Sequence, residues 1–397
     1  MDSTATHPGT RHCGAVVVGA GIAGAAAAAM LSAEAGIGDV VLVERESQAA
    51  QHASGRSASV LSETSGHIAV CALARLSRPF FERPPAGFAD HPLLSPRGLM
   101  WVGELGDDDA LDALAMTGAR IRPSVERLDA AGVRRHLPTF APDAIAAGGV
   151  WEPDAMAIDT ASVIAGFIRM LRRCGGELLV SSEAIAVEVL GDRQFEVRAG
   201  GARLRTAIVV NASGAWADEV ARRAGIAPLG CTAYRRTAAI AATGADVSAW
   251  PLVMDIASRY YLEPEAGGVL VSPADETPSE PCDAQPDELD VALALERAAA
   301  ASGLQLRSIR SAWAGLRTFA PDRAPVLGEE PGVPGFWWSV GQGGAGIKTA
   351  PAMGVVLAAM AVGADLPSDA AALGITVDTL SPARFRQRAS AERSVGG

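Results

Sequence analysis

The hydrophobic positions near the N-terminus form two short apolar runs with an alanine-rich stretch between them. Residues 16–18 read VVV, residues 39–45 read DVVLVER, and the segment that separates them is dominated by small residues. A run that is apolar at every position is typical of a strand buried on both faces of a parallel sheet. The pattern therefore predicts a strand, a helix of small residues and a second buried strand.

Three glycines mark the junction between the first strand and the helix. Gly19, Gly21 and Gly24 form GxGxxG, and Glu44, which ends the second strand, lies 20 residues beyond the last of them. These glycines allow a tight turn, a close approach of the backbone to a pyrophosphate, and close packing of helix on strand. The helix N-terminus attracts phosphate, whereas Glu44 binds ribose hydroxyls and repels a 2′-phosphate. The motif predicts NAD or FAD and disfavours NADP.

Two later segments again run from a strand into small residues. An apolar strand over residues 207–210 ends at NASG, and a strand over residues 336–340 leads into a loop with four glycines. The helix that follows this loop is predicted to hold Pro351 in its first turn, where proline costs nothing. Three backbone segments would then face one ligand. Because NAD needs one compact crevice and a large tricyclic ring needs several approaches, the pattern favours FAD.

Composition excludes several classes of protein. The chain has 397 residues, 49% of them hydrophobic, and a net charge of -11, so a basic nucleic-acid-binding surface is not expected. Its five cysteines are far apart and its six histidines lack metal-binding spacing, which indicates a reducing compartment and no metal site. The N-terminus does not resemble a signal peptide, and no apolar run is long enough for a membrane span. We therefore expect a cytoplasmic protein.

Several motifs together resemble a known family. GAGIAG, Glu44-Arg45, HASGRSA, NASGAW and GQGGAGIKTAPAMG are similar to the D-amino acid oxidase superfamily of FAD amine oxidoreductases. Within that superfamily, FFERPPAGFADHPLLSPR, RYYLEPEAGGVLVSPADE and WAGLRTFAPD most closely resemble the bacterial D-arginine dehydrogenases. The resemblance covers residues 14–385, nearly the whole chain.

The resemblance implies an α/β two-domain fold, in which a Rossmann-like FAD-binding domain is interleaved with an antiparallel-sheet substrate domain. Residues 1–80, 150–230 and 310–397 would form the FAD-binding domain, and residues 81–149 and 231–309 the substrate-binding domain. The residues expected to bind FAD are Gly19, Gly21, Ile22, Ala23, Gly24, Glu44, Arg45, Ser54, Gly55, Arg56, Ser57, Ala58, Ala184, Gly214, Trp216, Gly315, Gly343, Gly344, Ala345, Gly346, Ile347 and Lys348. Of these, Arg56 is expected to be a phosphate or structural partner rather than a catalyst.

The resemblance also implies residues that bind the substrate. Arg317 matches an arginine that clamps the substrate carboxylate with its planar fork, and Tyr261 matches a pocket tyrosine. Adjacent side chains of a strand point to opposite faces, so only one of Arg235 and Arg236 can enter the pocket. The alignment favours Arg235 as the second carboxylate contact.

Four positions depart from the D-arginine dehydrogenases. Leu99 stands where they place a glutamate that holds the substrate guanidinium, and Val60 and Ser65 replace a histidine and a gating tyrosine. An unpaired buried charge is costly, so a basic substrate is disfavoured. Lys348 replaces a glutamine. As a candidate catalytic residue it could stabilise the reduced flavin, favour its reaction with O2 or pair with the substrate carboxylate, and the alternative is a side chain that faces solvent.

The implied reaction is hydride transfer to flavin N5 from a non-basic D-amino or imino acid, with an apolar, small or cyclic side chain. The imine product hydrolyses to a 2-oxo acid, and O2 or a quinone-type acceptor reoxidises the flavin. Catalysis would rest on positioning and electrostatics. Two alternatives remain open, namely oxidation of a secondary amine, N-substituted amino acid or biosynthetic intermediate, and an FAD subunit of a heteromeric dehydrogenase. No cysteine cluster for an iron–sulfur centre is present, so a partner would carry one.

Overall fold

The structure, a computed structural model, describes residues 9–386. The strands are β1 (Thr10–His12), β2 (Ala15–Val18), β3 (Val40–Val43), β4 (Val60–Leu61), β5 (Leu94–Pro96), β6 (Leu99–Gly103), β7 (Glu126–Leu128), β8 (Gly148–Glu152), β9 (Met156–Ile158), β10 (Glu177–Leu179), β11 (Ala184–Gly191), β12 (Gln194–Ala199), β13 (Ala202–Thr206), β14 (Val209–Asn211), β15 (Thr232–Ala241), β16 (Leu252–Asp255), β17 (Tyr261–Glu265), β18 (Gly268–Ser272), β19 (Thr277–Ser279), β20 (Ile309–Phe319), β21 (Val326–Glu329), β22 (Phe336–Val340) and β23 (Gln342–Gly343). The α-helices are α1 (Ile22–Ala33), α2 (Ile68–Glu82), α3 (Asp108–Ile121), α4 (Ala130–His136), α5 (Thr160–Arg173), α6 (Ala217–Arg223), α7 (Glu288–Ser302), α8 (Gly346–Ala361), α9 (Ser368–Ala372) and α10 (Val377–Leu380).

The three strands predicted from apolar runs lie side by side in one six-stranded sheet. Its order is β10-β3-β2-β14-β22-β21, and all neighbours are parallel except β21 and β22. The central pairs include Val16 with Val41 and with Val209. Because parallel strands end at the same edge, the loops after β2, β3, β14 and β22 meet there.

Small residues let two helices pack tightly on one another beside this sheet. In α1 the residues from Gly24 to Ser32 are all buried, so the helix has no polar face. A Cβ on Gly354 of α8 would lie 2.8 Å from the Cγ of Met30 and 3.0 Å from the carbonyl oxygen of Ala26. The alanine-rich stretch is therefore a helix in contact on all sides, as the pattern predicts.

A second, ten-stranded sheet forms the other half of the molecule. Its order is β23-β20-β15-β18-β17-β16-β6-β8-β7, with β19 paired to β15, and only β16 and β6 are parallel neighbours. Side chains alternate between its faces. Ala239 and Leu262 pack under α7, whereas Leu99 and Tyr261 pack on the opposite face, here called the cavity face.

Two smaller sheets complete the fold. The order β1-β13-β12-β11 describes one, and β4-β9-β5 the other. The predicted boundary at residue 310 falls inside β20, which pairs with β15 from Thr232 to Ala241. The domain limits themselves stay a prediction.

Two details of the sequence interpretation need correction. Pro351 lies in the second turn of α8 rather than the first, so the helix accommodates it without its N–H bond. The strand predicted over residues 207–210 is observed at Val209–Asn211. Within residues 9–386, no helix combines the length and apolar character that crossing a membrane requires.

Glu263 is a buried carboxyl group on the cavity face, two residues beyond Tyr261 on β17. Glu263 is 6% exposed, and its Oε1 lies 3.4 Å from the Nε of Arg97. Burial raises the pKa of Glu263 to about 7, with Arg97 opposing the shift and Glu265 adding to it. The unfolded chain therefore releases this proton at a lower pH than the folded protein does.

We expect Glu263 to lower stability as the pH rises from its ordinary value of 4.5 to about 7. In this window the unfolded state is deprotonated first, so the free energy of unfolding falls by about 3 kcal/mol. Glu263→Gln should abolish that fall, as measured by urea denaturation across the pH range. Glu265→Gln, on the same strand but exposed, is the control and should largely retain it. Equal pH profiles for wild type and Glu263→Gln would contradict the assignment.

Candidate active site

One continuous cavity joins the edge of the parallel sheet to the cavity face of the ten-stranded sheet. Its volume is about 1610 Å³, including the solvent at its mouth. The loops after β2, β3, β14 and β22 line one part of it, and side chains of β15, β17 and β20 line the other. A site of this length suits a dinucleotide with a small molecule at its end.

The glycines of GxGxxG differ in what surrounds them. Gly19 has φ +98°, and a Cβ there would lie 2.8 Å from the carbonyl oxygen of Ala212. A Cβ on Gly24 would lie 1.8 Å from the carbonyl oxygen of Gly19, which shows that helix and strand require glycine. Gly21 lines the cavity and meets only the Oγ of Ser54, at 3.3 Å. The structure thus leaves open space where a pyrophosphate is expected.

Glu44 is held at the end of β3 by two backbone amides. Its carboxylate accepts hydrogen bonds from the N–H of Ala20 at 2.7 Å and of Glu46 at 3.0 Å. The residue is 8% exposed and lines the cavity. Each carboxylate oxygen has a second lone pair, so two further donors, such as ribose hydroxyls, can be accepted.

Aromatic and cationic side chains close the same end of the cavity. The guanidinium of Arg45 lies over the ring of Trp216, 4.6 Å from its centroid. The ring of His52 packs against the ring of Trp216, with the two centroids 4.8 Å apart. Arg45 and Trp216 were predicted from sequence, whereas His52 was not.

Most residues predicted to bind the cofactor line this cavity. They are Gly19, Gly21, Ile22, Ala23, Glu44, Arg45, Ser54, Arg56, Ser57, Ala58, Ala184, Gly214, Trp216, Gly315, Gly343, Gly344, Gly346 and Ile347. Gly24, Gly55, Ala345 and Lys348 lie behind the lining residues. Sequence reasoning missed Ser182, Arg223 and Ala284, which also line it, because no motif marks them, and Trp313, which begins the motif WAGLRTFAPD but was not named as a site residue.

Arg56 is a structural partner at the rim of the cavity. Its guanidinium donates to the carbonyl oxygens of Ala284 at 2.9 Å and Ala314 at 2.8 Å, and to the carboxylate of Asp283. These contacts fasten residues 283–284 over the cavity. The phosphate-binding interpretation is therefore disfavoured, since the terminal nitrogens of Arg56 already have partners.

The structure corrects the choice between the two neighbouring arginines of β15. Arg236 pairs with Gly315 and lies on the cavity face, whereas Arg235 lies on the opposite face. There Arg235 donates to Asp290 of α7 at 2.8 Å. The predicted register was wrong by one residue, which exchanges the faces of every side chain on a strand.

Arg317, Arg236 and Tyr261 meet at the substrate end of the cavity. Burial, followed by the nearby charge of Arg317, lowers the pKa of Arg236 to about 10. Arg236 donates to the carbonyl oxygen of Asp275 at 2.7 Å and lies 3.4 Å from the carboxylate of Glu276. Arg317, by contrast, makes no ion pair or side-chain hydrogen bond with any residue between 9 and 386, and packs against the backbone of Gly344.

Thr318 gives a second sign that a polar ligand belongs here. It lines the cavity and is 6% exposed, yet its Oγ1 has no hydrogen-bond partner among the described residues. A buried hydroxyl without a partner is costly. Thr318 follows Arg317 on β20 and pairs with Gly343 in the glycine loop that precedes α8.

Four other predicted residues lie outside the cavity lining. The ammonium of Lys348 is buried and bound to the segment around Ser65, so it neither faces solvent nor enters the cavity. The hydroxyl of Ser65 accepts one of its bonds, and Ser65 does not line the cavity. Leu99 and the half-buried Val60 belong to the apolar cluster around Tyr261, and neither lines the cavity. No cluster of metal-binding side chains occurs in the part of the chain that the structure describes.

Gly21 and Gly24 of the GxGxxG motif allow a test of cofactor binding. Gly21→Ala adds a methyl group that the protein tolerates but that projects toward the expected pyrophosphate, so we expect the apoprotein to bind FAD about tenfold more weakly. Gly24→Ala places the same group against a carbonyl oxygen, so it should lower the melting temperature of the apoprotein as well. Fluorescence titration with FAD and thermal melts of apoprotein measure both effects. Equal losses of apoprotein stability in the two variants would contradict the distinction.

Comparison with known proteins agrees with this geometry. Residues 15–360 match the family described as FAD dependent oxidoreductase. The uncharacterized oxidoreductase YurR of Bacillus subtilis (strain 168) is 31% identical over 163 residues, which are 40% of this chain and 42% of YurR. The chain thus spans about two fifths of the length of that relative.

Solved structures share the fold across nearly the whole chain. Glycine oxidase from Geobacillus kaustophilus superposes with a TM-score of 0.79 at 21% identity, covering 92% of this chain and 99% of that one. L-Proline dehydrogenase from P. horikoshii also gives 0.79, at 20% identity, covering 95% and 99%. These likenesses confirm the predicted α/β two-domain fold class. The residues present fit a dinucleotide cofactor, the cofactor is FAD, and the chain belongs to the family of FAD-dependent oxidoreductases that includes the D-amino acid oxidases.

Proposed function

We propose that this protein oxidises the C–N bond of a non-basic amino or imino acid whose carboxylate binds Arg317. The observation that supports this most directly is the charge of the cavity. The other arginines that line it have acidic partners, which are Glu46 for Arg45, Asp283 for Arg56, Glu219 for Arg223 and Glu276 for Arg236. Arg317 has no acidic partner among the described residues, so it is the lining cation available to an anionic ligand. A planar guanidinium binds a carboxylate through two parallel hydrogen bonds.

The side chain of the substrate would meet apolar walls. Ala238, Tyr261 and Trp313 line the cavity, and Val60, Leu99, Trp101 and Met254 pack with them in the same apolar cluster. Two buried acids share this face, but both have partners. Glu152 accepts from Ser62, Thr64 and the backbone of Glu63, and Glu263 faces Arg97. A cationic side chain would therefore find no free carboxylate, which argues against the substrates of the D-arginine dehydrogenases that the sequence resembles.

The chain's own residues account for binding and orientation. FAD, when bound, supplies the acceptor for the two electrons removed from the substrate. Arg317 fixes the carboxylate, and the free nitrogen of Arg236 lies on the same face to assist it. The hydroxyl of Tyr261 has no hydrogen-bond partner among the described residues and faces the cavity, where it can donate a hydrogen bond to the carboxylate or accept one from the amine. The apolar walls exclude water from the site.

A cyclic or N-substituted amino acid is the second candidate substrate. L-Proline dehydrogenase shares the fold over 95% of this chain, and proline is a cyclic secondary amine. The same carboxylate clamp serves primary and secondary amines, since it does not contact nitrogen. The D configuration, the acceptor (O2, a quinone-type compound or a protein partner) and the cytoplasmic location stay predictions.

Replacing Arg317 tests the carboxylate clamp. Arg317→Met should lower kcat/KM by about 10²–10³, because a charge-assisted, two-point contact is lost. Anaerobic reduction of the flavin, followed by its absorbance, gives the rates. Arg235→Met is the matched control, because Arg235 lies on β15 and points away from the cavity face. This variant should retain most activity. Equal losses in the two variants would refute the role of Arg317.

Substrate preference tests the apolar walls. We expect leucine, methionine or proline to reduce the flavin at least about tenfold faster than arginine or lysine, since a buried cation without a partner is costly. Both enantiomers of each are compared by anaerobic stopped-flow. A preference for arginine in either configuration would contradict the proposal and favour the activity of the D-arginine dehydrogenases.

A further inference from the structure

Lys348 is the only lysine of the chain. Lysine and arginine together number 34, so arginine supplies every other side-chain cation of these two types. Lys348 is also 7% exposed and lies at the start of α8, directly after Gly346 and Ile347, which line the cavity. A chain that otherwise uses arginine therefore keeps one ammonium group, and keeps it buried.

The surroundings of Lys348 explain why an ammonium is required. Its Nζ donates to the carbonyl oxygens of Ser62 and Ser65, each at 3.0 Å, and to the Oγ of Ser65 at 2.7 Å. An ammonium has three N–H donors, so all of them are used. A planar guanidinium has five donors in a fixed fork and could not converge on these acceptors. Lys348 thus has no donor left for a flavin or a substrate.

A buried acid holds the same segment from the other side. Glu152, at the end of β8, is fully buried. Its Oε2 accepts from the hydroxyls of Ser62 at 2.8 Å and Thr64 at 2.5 Å, and its Oε1 from the N–H of Glu63 at 3.0 Å. Ser62 therefore stands between an ammonium and a carboxylate, whose opposite charges compensate one another. The neighbouring Glu63 has its own partner, Arg78.

Residues just before this segment form the wall of the site. Ser57 and Ala58 line the cavity, and Val60 packs in the cluster that contains Tyr261. The short strand β4 then pairs with β9 through Val60 and Leu61. Residues 62–65 are consequently the point at which this wall is fastened to both α8 and the ten-stranded sheet.

We infer that Lys348 is a positioning residue, which with Glu152 fixes residues 62–65 and thereby the wall at residues 57–60 against which the substrate packs. The part that concerns substrate rests on the proposed function. The part that concerns the wall does not, because it follows from contacts within the chain.

The inference is tested with Lys348→Met, which keeps the length of the side chain and removes its charge and donors. The expected result is a rise of about tenfold in KM, with kcat and the affinity for FAD changed less than about twofold. Hydrogen exchange of the amides of residues 57–66 should be faster in the variant, with FAD bound and no substrate present. The control is Thr349→Val, because Thr349 is equally buried but bonds only to Ala345 and Gly346 within its own helix region and to Met353.

The double variant Lys348→Met, Glu152→Gln separates positioning from a general loss of stability. Removing both charges leaves neither uncompensated, so its effects on KM and on exchange should be smaller than the sum of those of the single variants. If Lys348→Met does not fold, the double variant replaces it, and its KM and exchange rates are compared with those of Glu152→Gln. Additive effects, or unchanged exchange at residues 57–66, would overturn the inference. If none of the amino acids tested reduces the flavin of the wild-type protein, the proposed function fails. The exchange measurements still decide the role of Lys348 in that case.

Discussion

The close packing of α1 on the parallel sheet is the contact on which the rest of the structure depends. A side chain at Gly24 would collide with the carbonyl of Gly19, and one at Gly354 would collide with the backbone of Ala26. Because these positions lack a Cβ, α1 and α8 lie against each other and both begin at the carboxyl edge of the sheet. Their first residues, Ile22 and Gly346, then line the cavity together. A helix N-terminus attracts negative charge, so the packing of two helices also creates the site for a phosphate-linked cofactor.

The compensation of charge decides what the other end of the cavity can bind. Burying an ion is costly unless a partner is close. The acidic segment 275–290 supplies partners to Arg235, Arg236 and Arg56. Among the arginines that line the cavity, only Arg317 has no acidic partner within residues 9–386. The same acids thus hold residues 275–290 at the mouth of the cavity, and in our proposal they leave Arg317 to bind a carboxylate.

The segment around Arg56 connects these two ends. Ser54 accepts a hydrogen bond from the first amide of α1, Arg56 donates to the residues at the rim, and Ser57 and Ala58 line the cavity beyond it. Small side chains at these positions allow the backbone to lie close to a bound ligand. The segment then ends at Ser62–Ser65, between Lys348 and Glu152. One chain segment, residues 54–65, therefore contributes to the cofactor site, to the rim of the cavity and to the wall of our proposed substrate site.

Local spacing was sufficient to predict the strands and the glycine turn, because each depends on residues within one β–α–β unit. It also identified Arg317 and Tyr261 by resemblance, and the structure places both at one cavity. The sequence could not choose between Arg235 and Arg236, since their faces depend on how β15 pairs with β20. Nor could it foresee the role of Lys348, whose partners lie 283 and 286 positions earlier in the chain. Contacts between segments so far apart arise only when the tertiary fold brings them together, and there the balance of buried charge is decided.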